Sequence, residues 1–306
     1  MNEILNQSKT QKANNYFPKA RILGWWLKKQ FLDFLFLIKL IRLQRSFQLI
    51  KAQTLWILVN SLIFPFSRIL LGIKKARKIR DSLLSNVVDF PIVLSISFSS
   101  KSKIMLRDLE SLWAYHEIYI SNTYFHEVLR EGMTVVDVGA HIGTYTTLAA
   151  EKVGKNGKVI AIEPEPKNYK QLLENIKLNN FQNVIPKNIA LFNHEGHEKL
   201  YVSPLSSTHS LLFKKDAISS IEVQTKTLDN LLEELNLKKV EIIKIDAEGA
   251  ELPILKGAEK TLKTNPNIKI FVASYHYPAQ VKEVCQFLNE RGFKTKVSKG
   301  EIVTTI

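Results

Sequence analysis

From Thr134 onward the chain alternates between two hydrophobic periods, and this alternation constrains the fold more than any other feature. "TVVDV", "KVIAIEP", "NVIPKNIAL", "VEIIKID" and "NIKIFVAS" are short runs rich in Val and Ile and read as strands. "TYTTLAAEKV", "NYKQLLENIKLNN", "ELPILKGAEKTL" and "AQVKEVCQFLNER" carry the helical period between them. In the second of these helices, Tyr169, Leu172, Leu173 and Ile176 are expected on one face. Strands separated by helices of 10 to 15 residues predict an α/β fold, a doubly wound and mostly parallel sheet. "FKTKV" and "EIVTTI" are expected to close it as a terminal hairpin. Ahead of this region, "FPIVLSISFSS" and "KIMLRD" read as two short strands, followed by an aromatic-rich connection. Between Glu198 and Thr225 further hairpins are expected.

In such a sheet a ligand binds at the carboxyl ends of the strands, beside the first strand-to-helix turn. Here that turn is "VVDVGAHIGTYT", with Gly139, His141, Gly143 and Thr144 following Asp137. Gly139 permits a turn with φ values that other residues resist, and Gly143 permits close approach of a ligand to the helix start. The spacing is G-x-x-x-G. A dinucleotide pyrophosphate calls for a central glycine where this chain has His141. Asp137 would repel phosphate and attract an amino or sulfonium group, so the turn predicts a cationic ligand, and S-adenosylmethionine fits. Glu163, 24 residues after Gly139 at the end of the next strand, is placed to accept both ribose hydroxyls. Asn188, in "NIAL", is read either as a contact to the adenine edge or as a turn-forming residue.

"VVDVGAHIGTYT", "VIAIEPEP", "NIAL", "VQTKTLDNLL" and "VEIIKIDAEGAELPILKGAEKTL", in this order, resemble the FkbM family of S-adenosylmethionine-dependent methyltransferases over about residues 86 to 295. The last motif is the most specific. The resemblance implies a Rossmann-like methyltransferase domain and methyl transfer to hydroxyl groups on sugars or polyketide-like products. His141 departs from it, since the family usually has asparagine there. "KIDAEGAE" ends a strand at the edge where an acceptor would meet the cofactor, so Asp246 and Glu248 are read as polar anchors for cofactor or acceptor. His276, in "SYHYP", ends the next strand and is read either as a general base or as a partner of a neighbouring loop. Glu251 is expected to face solvent. Lys244 is expected to pack its stem on a buried strand while its amine reaches the edge. His194, His197 and His209 show no ligand spacing, and no metal site is expected.

Charge separates the first part of the chain from the rest. Met1 to Asp81 carries 16 Lys and Arg against Glu3, Asp33 and Asp81, whereas the remaining residues carry 27 basic and 26 acidic side chains. Residues 1–85 are therefore read as a basic, hydrophobic helical arm, and residues 86–306 as the methyltransferase domain. In "RILGWWLKKQFLDFLFLIKLIRLQRSFQLIK" a polar arc holds Lys28, Lys39, Arg42 and Ser46 among Leu, Ile, Phe and Trp. The following "LWILVNSLIFPF" is shorter than the ~20 apolar residues of a membrane span. The arm is thus expected to lie on an anionic membrane surface, which places the protein in the cytoplasm at the inner face of the membrane; the other reading is a soluble helical cap or oligomerisation arm with Trp25, Trp26 and Trp56 in its core. No cleaved leader is expected. The partners expected are a small-molecule, glycan or lipid-linked acceptor, not nucleic acid, because the domain itself is nearly neutral. Two other readings are an RNA methyltransferase that holds phosphates with the arm and a cofactor-binding but inactive recruiter. The single cysteine, Cys285, excludes an internal disulfide and a cysteine zinc cluster.

Overall fold

The computed structural model of the chain describes Lys75 and residues 90–306, apart from 97–99, 121–123, 125, 215–216, 299–300 and 306. Apart from Lys75, the basic arm lies outside the described residues. Among the described residues no helix is long and apolar enough to cross a membrane.

The domain is built on a seven-stranded sheet. Its parallel strands are β3 (Thr134–Val138), β4 (Lys158–Ile162), β5 (Val184–Lys187), β9 (Ile242–Ile245) and β10 (Lys269–Ala273), with β5 at one edge. The terminal hairpin of β11 (Lys294–Ser298) and β12 (Glu301–Thr305) completes it, in the order β11-β12-β10-β9-β3-β4-β5. β10, β9, β3, β4 and β5 run parallel and β12 pairs antiparallel with β10, giving the mostly parallel α/β sheet expected. β3, β4, β9 and β10 are rich in Val and Ile and buried along nearly their whole length because both of their faces are covered. The core joins Val136, Ile160, Ile243 and Ile270 of the sheet to Leu231, Leu255 and Leu288 from the helices. Strand order reverses between β3 and β9, so the crevice at their carboxyl ends is where this architecture binds ligands.

Two elements differ from expectation, each for a physical reason. The helix α3 (Pro166–Leu178) starts with Glu165 accepting from the Asn168 amide at 2.7 Å, with proline as its first residue. Its buried face is Asn168, Gln171, Leu172 and Asn175, while Leu173 is exposed. The polar face is used by the N-terminal hairpin of β1 (Ile92–Ser95) and β2 (Lys103–Leu106). Asn175, fully buried, accepts from the Met105 amide at 2.7 Å and donates to the carbonyls of Ile142 at 2.8 Å and Met105 at 3.2 Å. Asn179 repeats the exchange with Lys103. The second difference lies in "ELPILKGAEKTL", which is not one helix but two, Glu251–Lys256 and Glu259–Thr264. They break at Gly257, where any Cβ would overlap the carbonyl oxygen of Phe192.

The expected hairpin region forms a small sheet of β6 (Ala190–Leu191), β7 (Gly196–Val202) and β8 (Ser219–Lys226), with β8 in the middle. The segment between β7 and β8 reaches the crevice from two sides. The backbone carbonyl of Ser206 accepts from Asn168 Nδ2, and Ser210 Oγ donates to the carbonyl of Glu248 at 2.7 Å.

Replacing Asn175 by leucine is expected to cost about 2–4 kcal/mol, because it strands the Met105 amide and the Ile142 carbonyl without partners in the core. Urea unfolding of the variant beside the wild type measures it.

Candidate active site

The first turn is held by protein contacts on every side. Gly139 has φ 72° and Gly143 φ 88°, the left-handed region that favours glycine. A Cβ on Gly139 would overlap the carbonyl oxygen of Asp246, and one on Gly143 would sit 2.6 Å from Leu172 Cδ1. The Gly139 conformation is as expected. Gly143, in contrast, is accounted for by the packing of α2 (Thr144–Val153) on α3, with no ligand needed to explain it. Thr144, the first residue of α2, is buried, and its carbonyl accepts from the Tyr119 hydroxyl at 2.6 Å.

Asp137 was expected to face the cofactor, but its carboxylate is turned into the protein with none of its side chain exposed. Lys244 Nζ lies 3.1 Å from its Oδ1, and Thr146 Oγ1 donates to its Oδ2 at 2.6 Å. The same ammonium donates to the carbonyls of Gly139 at 2.7 Å and Val138 at 3.3 Å. Burial would lower the Lys244 ammonium, yet Asp137 first, then Asp246 and Glu163, hold it above its ordinary value. Lys244 is therefore more than a packed stem. It staples β9 to the turn after β3, and this role is invisible in a strand that reads "IIKI".

His141 adopts φ 53° and is half-buried. Its backbone amide donates to Glu163 Oε2 at 2.8 Å, and its ring lies 3.2 Å from Ser206 Oγ. Burial lowers the imidazole to about 4, so the ring is neutral and serves the turn through its backbone. Glu163 Oε1 accepts from the Glu165 amide at 3.0 Å. Burial raises this carboxyl to about 7 against the pull of the two amides. A carboxylate has about four acceptor positions, so the two amides leave two for hydroxyl donors. Asn188 donates from Nδ2 to the carbonyls of Glu163 and Pro164, which is the turn-forming role.

Across the crevice, β9 and β10 deliver Asp246, Glu248 and His276 to one point. His276 Nε2 is 3.9 Å from Asp246 Oδ1 and 3.6 Å from Glu248 Oε2, while Nδ1 is 3.4 Å from Glu251 Oε1. These are ion-pair separations longer than ordinary hydrogen bonds. The Tyr124 hydroxyl donates to Asp246 Oδ2 at 2.7 Å. Glu251 does not face solvent. It is fully buried and accepts from the amides of Ala247 at 2.9 Å and Gly249 at 3.2 Å, and from the Gln280 side chain. Burial alone would lower the His276 imidazole, but Glu248 and Glu251 overcome it and raise the ring to about 10. A ring already protonated at neutral pH is poorly suited to be the general base, and it acts instead as a cation among carboxylates. Glu248 is raised as well, by burial first. His194, His197 and His209 stay apart: His194 pairs with Glu198, and His209 accepts from the Ser203 amide.

Residues 137–295, just over half of the chain, match the methyltransferase FkbM domain. The chain belongs to the FkbM methyltransferase family. The hexuronic acid methyltransferase AglP of Haloferax volcanii is 25% identical in an alignment of 234 positions that covers 74% of this chain and 92% of AglP. Methyltransferase 1 of Beauveria bassiana is 26% identical in an alignment of 171 positions that covers 49% of this chain and 68% of its own. A solved FkbM methyltransferase from Methylobacillus flagellatus overlaps 65% of this chain and 56% of its own, at 17% identity and a TM-score of 0.42. As an FkbM methyltransferase the protein uses S-adenosylmethionine. The crevice fits that cofactor. Glu163 keeps acceptor positions for a diol, and Asp246 Oδ1 is a buried oxygen without a hydrogen-bond partner. Carboxylates at this edge also outnumber the Lys244 and His276 cations, which favours a positively charged ligand.

Lys244→Met is expected to destabilise the fold by about 3–5 kcal/mol, because it leaves the Asp137 carboxylate buried and unpaired. Combining it with Asp137→Leu should recover part of the loss. Chemical unfolding of the two single variants and the double variant measures the coupling.

Proposed function

We propose that this methyltransferase acts on a hydroxyl group of a sugar or a similarly small, polar acceptor. The observation that carries the reading is the meeting of Asp246, Glu248 and His276 beside the Gly139 turn, under the serine-bearing segment between β7 and β8. The name of AglP, a hexuronic acid methyltransferase that matches over nearly its full length, supports the acceptor class. The basic arm, read as an anchor to anionic membrane, would bring lipid-linked acceptors within reach as well.

S-adenosylmethionine supplies an electrophilic methyl group on a sulfonium, so the chain's task is alignment of the acceptor and removal of its proton. Glu163 accepts the ribose hydroxyls, and the turn from Gly139 to Gly143 fixes where that carboxylate stands through the His141 amide. Asp246 and Glu248 take the acceptor hydroxyl by hydrogen bond and draw its proton as positive charge leaves the sulfur. Asp246 has Oδ1 free of hydrogen bonds for this, with Oδ2 fixed by Tyr124. The His276 cation holds the two carboxylates in place.

Transfer of labelled methyl from S-adenosylmethionine to uronic acid oligosaccharides tests the reading. Asp246→Asn should lower turnover by roughly 10²-fold or more while cofactor binding survives. Turnover on no glycan, together with efficient methylation of RNA, would contradict it.

The raised Glu163 carboxyl also sets a pH dependence. The ionised form accepts both hydroxyls, and protonation removes acceptor capacity. Cofactor affinity should therefore increase as pH rises through about 7. Glu163→Gln should bind about 1.5–3 kcal/mol more weakly with a flattened profile, measured by calorimetric titration across that range.

A further inference from the structure

We propose that Asp246, Glu248 and His276 bind a divalent metal ion at the carboxyl edge of the sheet. Each can offer one ligand atom, and the three atoms lie within 4.8 Å of one another. The sequence gives no hint of this because 30 residues separate Asp246 from His276, and the parallel pairing of β9 with β10 brings them together.

The His276 side chain is only 6% exposed, yet its ring nitrogens meet the carboxylates of Glu251, Glu248 and Asp246 at 3.4, 3.6 and 3.9 Å without making a hydrogen bond, and Asp246 Oδ1 makes none either. Buried polar atoms are ordinarily satisfied. Here Nε2 and Asp246 Oδ1 are both buried without a hydrogen bond and lie 3.9 Å apart, with Glu248 Oε2 3.6 Å from the same nitrogen. One imidazole and two carboxylates form a mixed donor set that suits Mn2+ or Zn2+ better than Mg2+. Metal–ligand bonds of about 2.0–2.2 Å put neighbouring donors roughly 3.0–3.5 Å apart, so the gaps of 3.9 and 3.6 Å to Nε2 close by less than about 1 Å.

The surrounding shell is already in place. Glu251 faces Nδ1 and is itself held by two backbone amides and Gln280, which turns the Nε2 lone pair toward the carboxylates. Tyr124 occupies Asp246 Oδ2 and leaves Oδ1 for the ion. A metal ion here takes the place of the proton the ring otherwise carries. Its role in the reaction rests on the acceptor reading above. With the ion on Asp246, Glu248 and His276, the direct carboxylate contact to the acceptor would be replaced: the ion would hold the acceptor oxygen and acidify its hydroxyl, whose proton would pass to water in place of the carboxylates.

Chelator-treated full-length protein, titrated with Mn2+ and followed by electron paramagnetic resonance without cofactor or acceptor, tests the site independently of methyl transfer. One ion is expected per chain. His276→Gln and Glu248→Gln should each weaken binding by at least about tenfold. Thermal melting checks that each variant is folded, and Glu248→Gln carries the test alone if His276→Gln is not. No binding at millimolar Mn2+, or equal binding by wild type and a folded variant, would overturn the proposal. Cofactor binding, titrated separately, shows whether the methyltransferase reading stands when the metal site does not.

Discussion

The Lys244–Asp137 ion pair is the constraint on which the site depends. It is buried at the switch point of the sheet, and the lysine also binds the carbonyls of Val138 and Gly139. One ammonium thereby fixes the end of β3, the glycine turn and the end of β9 relative to one another. Gly139 and the Asp246 carbonyl can pack as closely as they do only because no side chain stands between them. The cofactor turn and the acceptor cluster thus form one construction, tied through the backbone. A buried pair of this kind contributes little net stability over an apolar pair, so its value lies in the geometry it enforces.

The electrostatics of the crevice follow from that arrangement. Asp137 is neutralised internally, so the attraction for a positive ligand comes instead from Glu163 and from the carboxylates around His276. The expectation of a cationic ligand stands, but on different residues from those that first suggested it.

Much of the fold was legible because β-branched runs and helical periods are local properties. The parallel order, the terminal hairpin and the first turn all follow from them. What could not be read was set by contacts between segments distant in sequence. The buried face of α3 is largely polar because Asn175 and Asn179 pair with the backbone of β2, so of the face that hydrophobic periodicity predicts Leu172 is buried and Leu173 is turned to solvent. The break at Gly257 answers to Phe192. Glu251 looks like a solvent-facing helical residue until the loop from Asp246 folds its amides onto it. In the site, Glu163 and His276 could be placed at strand ends from their positions alone. The charge on His276 could not, because it depends on carboxylates supplied by the neighbouring strand end. Tyr124 left no signal, since its segment has neither period nor motif.

The central claim is that a carboxylate-rich crevice tied together by Lys244 receives a positively charged sulfonium donor in place of a phosphate-bridged nucleotide. Equilibrium binding of S-adenosylmethionine and NADH to the same protein tests it most directly. The account predicts saturable binding of S-adenosylmethionine at one site per chain and none of NADH at comparable concentration. Tight binding of NADH, with S-adenosylmethionine unable to displace it, would contradict it.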